Sequence, residues 1–119
     1  MTLLFPKPKA APKKRVPEAE RDYMRRVSML PCAVCGCIPV EVHHWICGRG
    51  SQRRTSNWQT IPLCDRHHLG KFDIRGPAIH QQRVEWVEWF GLDTDYIADT
   101  QAKVKEHFGI EVPEEWRWE

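Results

Sequence analysis

The sequence contains no run of about 18 consecutive apolar residues, so no segment of it is fit to cross a membrane as a helix. Its opening stretch, MTLLFPKPKAAPKKR, lacks both a long apolar core and a small-residue cleavage site, and does not read as a secretory signal. A cytoplasmic protein is therefore expected. Internal repeats are absent. Apolar surplus is small as well, with a mean hydropathy of −0.59. A chain of 119 residues allows one small domain plus tails, with a core of modest size. The five cysteines are an odd number, so pairing into disulfides could not use them all. In a reducing compartment they read as thiols or metal ligands.

Acidic residues are missing from positions 1–15, which carry Lys7, Lys9, Lys13, Lys14 and Arg15 among Pro6, Pro8 and Pro12. Spaced prolines and like charges predict a disordered basic arm over residues 1–16. The imbalance extends further. Residues 1–84 hold 15 Lys and Arg against 6 Asp and Glu, while residues 85–119 hold 3 against 10. The formal net charge of +2 conceals this division. A basic front suits an anionic partner, of which nucleic acid is the commonest polyanion.

Helical punctuation follows the arm. Pro17 can open a helix, Glu18 and Glu20 suit its positive first turn, and Tyr23, Val27 and Leu30 form a buried stripe ended by Pro31. Val40–Trp45 and Gln59–Leu63 read as two short strands separated by a Gly- and Arg-rich loop over Ile46–Trp58. A second helix is predicted from Pro77 to Phe90, with Ile79, Val84, Val87 and Phe90 along one side. Asp93 can cap a last helix with stripe Ile97, Val104 and Phe108, stopped by Gly109. Residues 110–119 form an acidic tail whose Trp116 and Trp118 could dock on the domain or on a partner. Trp45, Trp58, Trp86 and Trp89 are expected to pack in the core or between helices. His107, at a helix end, is expected to have no catalytic role.

Chemistry concentrates between residues 32 and 80. Cys32-Ala33-Val34-Cys35-Gly36 has the form of a zinc knuckle, in which one tight turn presents two thiolates to one ion. The same spacing occurs in redox dithiols, but no βαβ context accompanies it here. After 28 intervening residues comes Cys64-Asp65-Arg66-His67. The combined CxxC…CxxH supplies four ligands for a closed tetrahedral Zn²⁺ site. Cys37 could replace Cys35, His68 could replace His67, and Cys47 reads as a small packing residue. His43, His44, His68 and His80 remain to be explained. Neighbouring strand residues point to opposite faces, so His43 and His44 must do different work. Arg49, Arg53 and Arg54, among glycines next to these histidines, suit phosphate contact, as do Lys13, Lys14 and Arg15 in the arm.

The order CxxC, EVHH on a first strand, a loop, IPLCDRHH and a later histidine resembles the His-Cys-rich HNH endonucleases. Within them the sequence is most similar to the phage recombination enhancement function (Ref) nucleases, over roughly Tyr23 to Ala102. That resemblance implies an α+β fold with a zinc-stabilised ββα-metal core and flanking helices, over residues 17–109. It implies a metal-dependent DNA endonuclease, phage- or prophage-encoded and acting in recombination or DNA processing, with a RecA-type recombinase filament as a partner. It assigns Cys32, Cys35, Cys64 and His67 to structural zinc and His44 to the general base. It places His43, with His68 and His80, at a catalytic divalent ion such as Mg²⁺ or Mn²⁺. The middle motif position, usually an Asn that orients the base, falls on Asn57 or, by the common spacing, on Gln59 or a near neighbour. A membrane or a small-molecule substrate has no place in this reading. A zinc-stabilised DNA- or protein-binding module without catalysis is the alternative from another class, and it would leave the extra histidines without work.

Overall fold

A computed structural model of the chain describes residues 15–50 and 55–119. The arm before Arg15, including Lys13 and Lys14, lies outside the described residues, as do Arg53 and Arg54 of the loop. Helix α1 spans Glu18–Val27. Pro17 precedes it, Glu18 and Glu20 occupy its first turn, and Arg25 and Arg26 occupy its last. Those charges complement the helix dipole. Tyr23, Val27 and Leu30 are buried, as their spacing predicts.

Strands β1, Glu41–His44, and β2, Thr60–Leu63, pair antiparallel, each slightly shorter than the sequence pattern suggests. His43 stands opposite Ile61 and His44 opposite Thr60. The two-residue period puts Glu41, His43, Ile61 and Leu63 on one face and Val42, His44, Thr60 and Pro62 on the other. The Pro62 carbonyl points away from β1 and accepts the Ala33 N–H at 2.9 Å. Its missing donor lies on that same outer edge, so proline costs the ladder nothing. This bond also fastens the Cys32–Cys35 knuckle to the sheet.

After β2 the chain makes a 3₁₀ turn over Asp65–His67 and a long excursion to helix α2, Arg83–Phe90. The sequence predicts this helix from Pro77, six residues earlier. Residues 78–80 instead spend their backbone donors elsewhere: Ile79 N–H on the His67 carbonyl, His80 N–H on that of His68, and Ala78 N–H on Gln82 Oε1. The later start also corrects the predicted stripe. Trp86 is fully buried, whereas Val84 and Trp89 are 73% and 71% exposed, contrary to their assignment to packing.

A 3₁₀ turn over Asp93–Tyr96 leads into helix α3, Ile97–Phe108, which Gly109 ends at φ 71°. That left-handed conformation closes the helix at little cost for a residue without Cβ. Ile97 and Val104 are buried as predicted. The core has two parts. Ile61, Leu63, Ile79, Trp86 and Ile97 pack with Cys32, Cys47 and Cys64, while Tyr23, Val27, Leu30, Trp58, Val104 and Val112 form a second group. Trp58 stacks beside Tyr23 with ring centroids 5.1 Å apart. The C-terminal segment docks on the domain: Trp118 packs on Trp45, its N–H bonds Gln101 Oε1, and the Trp116 carbonyl accepts from Gln101 and Gln59. Trp45 thus packs against this tail. The result is a small α+β protein, and no helix among the described residues is long and apolar enough to cross a membrane.

Candidate metal centres

The knuckle and the Cys64–His67 turn converge. Ligand atoms of Cys32, Cys35, Cys64 and His67 all lie within 4.8 Å of one another. Cys35 Sγ is 3.6 Å from Cys64 Sγ, and Cys64 Sγ is 3.4 Å from His67 Nδ1. Zn–S bonds of about 2.3 Å and Zn–N bonds of about 2.0–2.1 Å place tetrahedral ligands roughly 3.5–3.8 Å apart, so the spacing fits. Gly36, at φ 76°, turns the chain after the knuckle. Burial pushes the Cys35 thiol up to about 12, and neighbouring thiols push the same way. Burial raises Cys64 as well, with Cys32 adding to it. At Cys32 burial also acts upward, but backbone N–H groups of Cys64, Val34 and Cys35 bring the thiol below its ordinary value. Three thiols so close cannot all ionise alone, and a divalent cation removes that conflict. Cys37 is exposed and stands outside the group, while Cys47 is buried in the core.

A second group forms at the end of the same turn. Ligand atoms of His43, His68 and His80 lie within 4.8 Å of one another, and the ring centroids are 4.9–5.3 Å apart. Consecutive residues therefore serve different clusters, His67 with the cysteines and His68 with the histidines. His80 arrives through its backbone bond to the His68 carbonyl at 3.1 Å. His43 and His68 are buried and His80 is exposed, so the group is closed below and open to solvent at one corner.

Electrostatics keep these rings in their ligating form. Burial is the main cause holding His43, His67, His68 and His80 below the ordinary imidazole pKa. Next comes His43 at His68, and His68 followed by Arg49 at His80. Neutral imidazole is the species that binds a metal. Two of the rings have carboxylate partners: His43 Nε2 donates to Asp93 Oδ2 at 2.9 Å, and His68 Nδ1 lies 3.3 Å from Glu41 Oε1. The other nitrogen of His43, Nδ1, is buried and has no hydrogen-bond partner. A buried orphan nitrogen on a ring grouped with two further imidazoles fits a metal ligand. The imidazole donor set suits a first-row divalent ion.

His44 sits on the other face of β1, half-buried. Its Nε2 donates to Asn57 Oδ1 at 2.7 Å. Asn57 is thus the side chain paired with His44, while Gln59 bonds Trp45 and the Trp116 carbonyl. His44 is close enough to His43 to lower its pKa by charge repulsion. Arg49, beside His80 in the field of the cluster, is the loop arginine that the described residues place near the histidines. Arg15 is exposed at the foot of α1. His107 is exposed near the end of α3.

Sequence reasoning missed Asp93 and Glu41. Asp93 looks like a cap, but its carboxylate is fully buried and accepts from His43, from Ile46 N–H at 2.7 Å and from Cys47 N–H at 3.3 Å. Burial alone would raise its pKa, and the His43 bond and Ile46 N–H more than reverse that. The helical start uses Asp95 instead, which accepts from Leu92 N–H at 3.0 Å. No short-range signal marks Asp93, which is 50 residues from His43. Glu41 carried one, since it alternates with His43 on β1.

Residues 6–105 match the model of a family described as a protein of unknown function (DUF968), and the chain belongs to that family. No curated protein and no solved structure matches it.

Proposed function

We propose that this member of the DUF968 family is a metal-dependent DNA endonuclease of the HNH type, with a ββα-metal core. The observation that carries the reading is the pairing of two unlike groups on one short strand. His43 joins a solvent-open set of three imidazoles, and His44, the next residue, is oriented by an asparagine carbonyl. A purely structural zinc module needs the cysteine cluster and has no use for either arrangement.

The residues divide the work of phosphodiester hydrolysis. With Nε2 donating to Asn57, the neutral His44 ring carries its lone pair on Nδ1. That nitrogen takes a proton from the attacking water as the water oxygen bonds to phosphorus. Imidazole as a side-chain type, with an unperturbed pKa of about 6.5, suits proton removal near neutrality. Asn57 holds the ring's tautomer and orientation. The bond from phosphorus to the 3′-oxygen then breaks, leaving a 5′-phosphate and a 3′-hydroxyl that takes its proton from solvent. His43, His68 and His80 would hold a divalent ion, Mg²⁺ or Mn²⁺ in this reading, which when bound would supply charge neutralisation for the hydrolysis. Arg49 offers a fixed positive charge beside that group for a neighbouring phosphate. Cys32, Cys35, Cys64 and His67 would hold a structural Zn²⁺ and so brace the turn that carries His68.

Nicking of supercoiled plasmid tests the proposal. Cleavage is expected with Mn²⁺ or Mg²⁺ and not with chelator. The His44→Ala chain should lose about 10²–10⁴-fold in rate while keeping its fold and zinc. No cleavage of single- or double-stranded DNA with either metal, alone or with a recombinase filament, would sink the nuclease and favour a binding module.

A further inference from the structure

Asp93 makes more contact with the histidine site than any cap would need. Its Oδ2 accepts both from His43 Nε2 at 2.9 Å and from Ile46 N–H at 2.7 Å, and its Oδ1 accepts from Cys47 N–H at 3.3 Å. All of this happens at a side chain with no solvent exposure. We infer that Asp93 is a positioning residue for the divalent ion of the histidine cluster, acting through His43 to present Nδ1 as the ligand atom. The inference rests on the metal-site reading above and adds a residue from outside the strand–turn unit that supplies the ligands.

A neutral imidazole carries one N–H, and the nitrogen that holds it cannot bind a metal. A buried carboxylate on Nε2 fixes the proton there and leaves the lone pair on Nδ1. That is the buried nitrogen left without a hydrogen-bond partner, on a ring whose centroid lies 5.1 Å from that of His68 and 5.3 Å from that of His80. The negative charge behind the ring also raises the basicity of the far nitrogen, as carboxylates behind metal-bound histidines do. The same carboxylate anchors the backbone just after His44, through Ile46 and Cys47. Asp93 therefore ties the start of the α3 region, the metal ligand and the loop that carries Arg49 into one unit. Glu41 stands in the analogous place behind His68, but it is exposed and its bond is longer.

The test uses the full chain with zinc on its cysteine cluster, titrated with Co²⁺ and followed by visible absorption. Absence of a thiolate-to-cobalt charge-transfer band identifies the histidine cluster as the site filled. Asp93→Asn is the decisive variant, because its amide oxygen can replace Oδ2 in the His43 and Ile46 bonds while the charge is lost, giving up only the longer 3.3 Å bond from Cys47 N–H. Its Co²⁺ affinity should fall about 10–100-fold with zinc content and melting behaviour retained. Nitrogen NMR of the metal-free wild-type chain should show His43 protonated at Nε2, a preference that Asp93→Ala should abolish. An Asp93→Asn chain that folds and binds Co²⁺ as tightly as wild type would overturn the inference. A metal-free wild-type His43 protonated at Nδ1 would overturn it even if every variant failed to fold. Wild-type chain that takes up no Co²⁺ would remove the metal-site reading together with the inference. Asp93-dependent Co²⁺ binding by a chain that cleaves no DNA would support the inference and remove only the nuclease.

Discussion

At the scale of single residues, neighbouring histidines on β1 divide into different environments because a strand points successive side chains to opposite faces. His43 is buried against Asp93, and His44 is half-buried against Asn57. Replacing Asn57 by Ala removes the carbonyl that holds His44 Nε2, and under the proposed nuclease reading the cleavage rate should fall on the order of 100-fold, since small misplacements of a reacting group cost that much. Gln59→Ala should leave the rate close to wild type and act on the docking of Trp116. Single-turnover cleavage by the two variants separates them. The histidines, cysteines and Asn57 were legible because their spacing is local and their chemistry unusual. Asp93 was not, since an aspartate ahead of a helix ordinarily reads as a cap. Only a contact across 50 residues reveals its work.

At the scale of elements, the turn from Cys64 to Gln82 does most of the positioning. Asp65 accepts backbone N–H groups from Lys71, Phe72 and Asp73 at 3.1, 2.8 and 2.8 Å, and those bonds hold its carboxyl below the ordinary value. Asp65→Ala should raise hydrogen exchange at those three amides and loosen the segment that delivers His80. Helix α2 was legible in existence but not in phase. Its pattern suggested Val84 and Trp89 as packing residues, yet the donors of residues 78–80 are used by the turn, and the helix begins later with Trp86 inward. Trp86→Ala should therefore cost about 3–5 kcal/mol of stability. Trp89→Ala should stay within about 0.5 kcal/mol, as for an exposed position. Thermal melts of the two variants would expose an error in the phase.

At the scale of the whole molecule, two modest core groups flank a two-stranded sheet, and the cysteine cluster joins the knuckle to the turn after β2. A domain this small gains from a metal clamp. Stripping metal from the cysteine cluster should unfold much of the domain, and Cys64→Ser should lower the melting temperature sharply. Replacement of His68 should not. Composition alone reported little of this, and the net charge of +2 reported least. The division of charge was more informative, because Arg49 of the basic front lies in the field of His80. The central claim is that the chain builds two separate metal sites, one closed and rich in thiolate, one open and made of imidazole. Native mass spectrometry of the wild-type and His68→Ala chains, each equilibrated with Zn²⁺, tests it most directly. Two ions per wild-type chain and one per His68→Ala chain are predicted. A single ion bound equally by both chains would contradict the claim.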